Sequence, residues 1–268
     1  MTQFIHSADG TRIGFDDLGT TDAPVVIYVH GATAYRAISS GPAALAATGG
    51  LRVLTYDRRG RGESGDAETY AIEREIEDIA ALVEHVGGNA ILLGESSGAV
   101  LALEAALAGV PVAAVAAFEP PFIADDARPP IPVDYIARLD AFAAAGDRLG
   151  ALRYFSLEAV GLPPEMVDQM MASPFIAAVE PFAGTLRYDA RIMGDTMSGD
   201  VAALERYVPI PVPITVLVGE STFPSIRSGA EAFAEVVPGS ELVIVPGGDH
   251  QLPADAVAPV IRSIAVSA

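Results

Sequence analysis

One serine stands at a spacing suited to nucleophilic chemistry. Residues 94–98 read Gly-Glu-Ser-Ser-Gly, with Ser96 at the centre. The apolar run Ile91–Leu93 ahead of it suits a buried strand, and Ala99–Leu107 behind it is rich in helix formers. A serine on so tight a strand-to-helix turn needs small residues two places before and after it, and Gly94 and Gly98 supply them. The turn would lift the Ser96 hydroxyl clear of a sheet and set it at the positive end of the helix. The Ser97 N–H would then be free to face an oxyanion. Serine is a poor nucleophile at neutral pH and needs a base. Among the four histidines, His250 is the candidate. It lies in Gly247-Gly-Asp-His250, after the last strand-like run, where a glycine-rich loop reaches the carboxyl edge of the sheet and ligands gather. His6 falls in a first hairpin, His30 at a strand end, and His85 on a helix beside Glu84.

The elements that must position these groups follow from apolar periodicity. Residues 2–7 and 11–18 read as a hairpin turned at Asp9-Gly10. Val25–Val29, Leu51–Tyr56, Val112–Phe118, Ile214–Val218 and Glu241–Val245 read as further strands. Between them, a weak helix is expected near Gly41–Ala47, an amphipathic one over Tyr70–Val86, and others near Ile226–Val236 and Ala254–Val266. Such alternation implies an α/β fold, with a mostly parallel sheet and helices on both faces. From Phe122 to Val208 the pattern changes to helices without strands. Segments are expected near Asp134–Ala145, Arg148–Val160, Pro164–Met171, Pro174–Phe182 and Val201–Tyr207. The division is therefore a core of residues 1–121 and 209–268 with a helical cap insertion at 122–208. The Met and Phe side chains of the insertion read first as its own core and second as a lid over an apolar substrate.

Taken together, His30-Gly31, Tyr56-Asp57-Arg-Arg-Gly-Arg-Gly-Glu-Ser64, Gly94–Gly98 and Gly247–His250 resemble an α/β-hydrolase of the core-plus-cap type, over nearly the whole chain. The resemblance implies that the second oxyanion donor is the N–H of Ala32, partnering Ser97. Asp57–Ser64, read from its own residues, is turn structure. The resemblance also exposes a departure. The family usually places its acid three residues after the glycine that closes the strand at 214–218, and that residue here is Thr222. Threonine cannot hold an imidazolium by an ionic hydrogen bond. Glu119, at the end of the strand after the elbow helix, is the first choice. Certain haloalkane dehalogenases and the fungal zearalenone lactonases carry their acid there, and the Gly-x-Ser-Ser-Gly-Ala and Glu-Pro stretches are similar to those of the lactonases. Glu220 is the alternative acid, and Asp249 adjoins the histidine too closely to orient it.

Composition bounds the rest. A formal net charge of −19 disfavours nucleic acid and anionic membranes as partners. No cysteine is present, which removes disulfides, thiolate metal sites and a cysteine nucleophile. Neither a metal-ligand spacing nor a phosphate-cradling glycine loop occurs, so no cofactor and no metal is expected. The first ten residues lack the basic and apolar regions of a signal peptide, and no apolar run reaches membrane-spanning length; a soluble cytoplasmic protein is expected. The partner is a small molecule, with room for a homodimer. The leading expectation is a serine hydrolase cleaving a small, rather apolar carboxylic ester or lactone through an acyl-enzyme on Ser96. The alternatives are a cofactor-free C–C hydrolase or lyase using the same triad, and a non-catalytic hydrolase-fold ligand-binding protein.

Overall fold

Alternating strands and helices wind into a single eight-stranded sheet in the computed structural model, which describes residues 2–267. The strands are β1 (Gln3–His6), β2 (Arg12–Leu18), β3 (Val25–Val29), β4 (Arg52–Tyr56), β5 (Ile91–Glu95), β6 (Ala114–Phe118), β7 (Ile214–Gly219) and β8 (Glu241–Val245). Their spatial order is β1-β2-β4-β3-β5-β6-β7-β8. The β1–β2 and β2–β4 pairings are antiparallel and all the others parallel. The α/β class expected from the sequence is thus the one found.

The helices are α1 (Gly41–Gly49), α2 (Ile72–His85), α3 (Ser97–Leu107), α4 (Tyr135–Ala145), α5 (Arg148–Phe155), α6 (Pro164–Met171), α7 (Phe175–Val179), α8 (Leu186–Met193), α9 (Pro224–Val236) and α10 (Ala254–Ser267). Successive residues of β3 point to opposite faces, and both faces are covered. Ile27 and Val29 join a core with Leu82 of α2, Leu103 of α3 and Phe233 of α9. Val26 and Tyr28 join a second core with Leu45 of α1 and Ile261 of α10. The ends of β5 and β6, which lead to Ser96 and Glu119, are likewise anchored in buried β-structure, which limits how far they can drift.

Helices α4 to α8 all lie between β6 and β7, with no strand among the described residues there. They share a separate small core of Tyr135, Leu139, Leu152, Val179 and Leu186. Met1 and Ala268, at the ends of the expected core, lie outside the described residues. Three details differ from the sequence reading. The expected helix at 148–160 stops at Phe155, and residues 156–160 form one wider turn closed by Gly161 in the left-handed region. The expected helix at 174–182 becomes α7 and then a tighter turn over 180–185, where Pro181 supplies no N–H. Helix α8 was not expected; it is only eight residues long, and it buries Asp189 and Tyr188 alongside Leu186 and Met193.

Candidate active site

Strand β5 runs directly into α3 through Ser96, whose backbone sits at φ 56° and ψ −125°. That conformation is strained for a residue with a Cβ, and the neighbours hold it. The Ser96 N–H donates to the Phe118 carbonyl at 2.9 Å. A Cβ on Gly94 would collide with the Gly98 carbonyl, and one on Gly98 would collide with the Val29 carbonyl. The two glycines are thus demanded by space, as the spacing implied.

Among the described residues only five non-glycines adopt positive φ: Thr33, Asn89, Ser96, Glu119 and His250. Three of them are the predicted nucleophile, acid and base, and backbone strain of this kind gathers at functional sites. The structure brings the last two together. His250 Nδ1 lies 2.6 Å from Glu119 Oε2, and the second carboxylate oxygen accepts the Gly219 N–H at 2.9 Å. Glu119 is fully buried while the His250 side chain is about one-third exposed, at 32%. Burial opposes ionisation of Glu119. The hydrogen bonds from His250 and from the Gly219 N–H, helped by the nearby Thr222 hydroxyl, outweigh it and hold the carboxyl below its usual value. The Thr222 hydroxyl is buried without a well-aligned partner of its own. An ionised Glu119 keeps the proton of His250 on Nδ1 and leaves Nε2 as a base.

The loop bearing His250 is pinned to the end of β7. Glu220 N–H donates to the carbonyls of Val245 and Gly247, and Ser221 N–H to that of Gly248. The approach is so close that Gly219 has no room for a Cβ beside the Gly248 carbonyl, 2.5 Å away. Glu220 itself points outward and is exposed; its side chain does not meet His250, nor does that of Asp249. The carboxylate that the geometry joins to His250 is Glu119.

Ser96, Ser97, Ala32 and His250 open on one cavity of about 630 Å³. Its walls are mostly apolar: Phe122 and Ile123 after β6, Tyr135, Phe155 and Met193 from the inserted segment, and Phe223 and Ile226 near β7. Of the Met and aromatic side chains in the insertion, Tyr154 is buried in the segment's own core while Met166 and Phe175 are exposed. Neither the Ala32 nor the Ser97 N–H donates to a backbone carbonyl among the turn and loop hydrogen bonds of the described residues. The Ser96 hydroxyl forms no hydrogen bond among the described residues, and such bonds tighten when substrate arrives. No group of three or more His, Asp or Glu among the described residues could hold a metal ion. No helix among them is long and apolar enough to cross a membrane.

A profile of the alpha/beta hydrolase family matches residues 26–262. The chain belongs to that family. A solved alpha/beta hydrolase from Sphaerobacter thermophilus DSM 20745 is 42% identical, covers 98% of this chain and 99% of its own, and superposes with a TM-score of 0.87. A bifunctional esterase/perhydrolase from Acinetobacter calcoaceticus is 31% identical over 97 residues, which span 35% of each protein. A 2-(acetamidomethylene)succinate hydrolase from Mesorhizobium japonicum is 26% identical over 233 residues, 85% of this chain and 81% of that one.

In this alpha/beta hydrolase the sequence reading missed one group of residues. The Asp57–Ser64 stretch is turn structure, as expected, but Arg58, Arg59 and Arg61 are fully buried. Arg58 pairs with Glu75 at 2.7 Å and with Asp189 at 2.6 Å, and Arg61 reaches the other oxygen of Asp189 at 2.5 Å. Asp189 also accepts the Ser97 hydroxyl at 2.8 Å and lines the cavity. Burial opposes its charge, but the two arginines hold its carboxyl below the usual range. The chain's 16 basic residues are all arginine, whose planar fork suits such two-pronged pairing. Three closely spaced arginines facing an acidic chain were the available signal.

Proposed function

We propose that this alpha/beta hydrolase is a serine esterase or lactonase acting on a small, rather apolar substrate. The observation that carries the reading is the Glu119–His250 pair at 2.6 Å, whose His250 lines the same cavity as strained Ser96. In this account Ser96 Oγ attacks the carbonyl while His250 Nε2 takes its proton. Glu119 stabilises the imidazolium through Nδ1. The Ala32 and Ser97 N–H groups receive the tetrahedral oxyanion. His250 returns the proton to the leaving alcohol, and water then cleaves the acyl-enzyme by the same steps. The inserted helical segment serves as a cap that supplies the apolar wall. The named esterase relative supports ester chemistry, and the mostly apolar lining supports an uncharged acyl group.

The feature that favoured a non-catalytic binding protein was Thr222 at the usual acid position. A carboxylate already bonded to His250 removes that motive. Turnover of short p-nitrophenyl esters and of lactones by wild type and Ser96→Ala tests the proposal. Activity in the wild type and its loss in the variant are expected; a Ser96→Ala protein with wild-type turnover would end it.

A further inference from the structure

We infer that Asp189 is a positioning residue for the oxyanion site: from α8 of the inserted segment it clamps the two turns that present the Ala32 and Ser97 N–H groups. The inference rests on the serine-hydrolase reading above and adds a dependence of that site on the docked segment. One clamp acts on the elbow. The Ser97 hydroxyl donates to Asp189 Oδ1 at 2.8 Å, which fixes the first residue of α3 and with it the direction of its N–H. The other clamp acts through the arginines. Arg61 is held by Asp189 Oδ2 and donates to the Gly31 carbonyl at 2.7 Å and to the Ala34 carbonyl at 3.3 Å. Arg58, held by Asp189 Oδ1 and Glu75, donates to the His30 carbonyl at 3.2 Å.

The Gly31 carbonyl and the Ala32 N–H belong to one planar peptide unit. In a trans peptide the two groups point in opposite directions. A charged donor on that carbonyl therefore fixes where the N–H points and strengthens it as a donor. Two arginines and two carboxylates cancel in charge within the cluster, so a fully buried Asp189 beside the cavity does not repel an oxyanion as a lone carboxylate would. Desolvation makes a buried ion cluster a poor source of stability compared with apolar packing. Its location beneath both donor turns is what a positioning role explains.

The test compares Asp189→Asn and Ser97→Ala with wild type on a p-nitrophenyl ester. Two inhibitors with the same acyl chain accompany it: an alkyl boronic acid, which mimics the tetrahedral oxyanion, and the unreactive amide, which mimics the ground state. Asp189→Asn puts an NH₂ group where an arginine needs an acceptor. It is expected to lower kcat roughly 10- to 100-fold, part of the loss seen when an oxyanion donor is removed. Boronate affinity should fall by a similar factor, while KM and amide affinity stay within about threefold. Ser97→Ala leaves every ion pair in place and should show the same pattern with a smaller loss; it decides the matter by the same criteria if Asp189→Asn does not fold. Folded variants with wild-type kcat, or with equal losses toward boronate and amide, overturn the clamp and leave the serine reading intact. Unaltered turnover by Ser96→Ala would instead remove that reading and the clamp together, an outcome seen in a different variant.

Discussion

Replacing Glu119 by glutamine tests the displaced acid most sharply, because the change is isosteric and its cost can be worked from two hydrogen bonds. Glu119 accepts from His250 Nδ1 and from the Gly219 N–H. A glutamine has one acceptor oxygen and one NH₂ group, so it can serve only one of these donors. If the oxygen stays on Gly219, the NH₂ group forces His250 into the tautomer with its proton on Nε2, which cannot accept the Ser96 proton. If the amide flips, Gly219 is left as a buried unsatisfied N–H, at about 1–3 kcal/mol. In the flipped form the bond to the imidazolium also loses the carboxylate's charge assistance, about 1–1.5 kcal/mol more. The sum is about 2–4.5 kcal/mol in the transition state, or about 30- to 2,000-fold in kcat. Steady-state hydrolysis of an activated ester measures it, with thermal unfolding to check the fold. Glu220→Gln alters an exposed side chain and should leave kcat within about twofold. A Glu119→Gln enzyme at wild-type kcat, or a collapse in Glu220→Gln, would refute the reasoning.

Aspartate at position 222 should not help: it would set a second carboxylate against Glu119, raise the pKa of that pair and lower kcat at neutral pH, with the acid limb of the pH–rate profile moving upward. Alanine at Gly98 should destabilise the fold by at least about 1–3 kcal/mol in urea titration, since its Cβ would press on the His30 carbonyl at 2.6 Å. His30 should make the protein acid-sensitive. Burial, aided by the charges of Arg61, Arg58 and Arg36, lowers its pKa from 6.5 to about 3. Between those values the unfolded chain binds the extra proton, so stability falls as pH drops, by about 1.4 kcal/mol per pH unit from this group. Above 6.5 the effect vanishes. His30→Gln should remove that share of the slope in urea melts from pH 6.5 to 4, and an unchanged slope would assign it to other groups.

The site was legible where chemistry is written locally. Gly94 and Gly98 bracket Ser96 because a Cβ at either would strike a backbone carbonyl, a demand that any reader of the spacing can reconstruct. Glu119 was legible because it ends a strand whose neighbour carries the elbow, and parallel strands in register deliver their ends to one edge. What the sequence hid was long-range pairing. Asp189 meets partners 131 and 128 residues away. Periodicity reports which face of a helix is apolar, but α8 buries charge as well as hydrocarbon. For the same reason Arg58-Arg59-Gly60-Arg61 passes for a solvated turn until Glu75, Asp78 and Asp189 are brought against it. The wide turn after α5 was equally out of reach, since it depends on Arg128 holding the carbonyls of Glu158 and Ala159.

The most direct test of the central claim is labelling of the purified protein with a fluorophosphonate, read by intact mass and by mapping the modified residue. The account predicts one adduct, on Ser96, abolished in Ser96→Ala and strongly slowed in His250→Ala and Glu119→Gln. Folded protein that takes up no label, or takes it up at another residue, would contradict an activated nucleophile at the elbow.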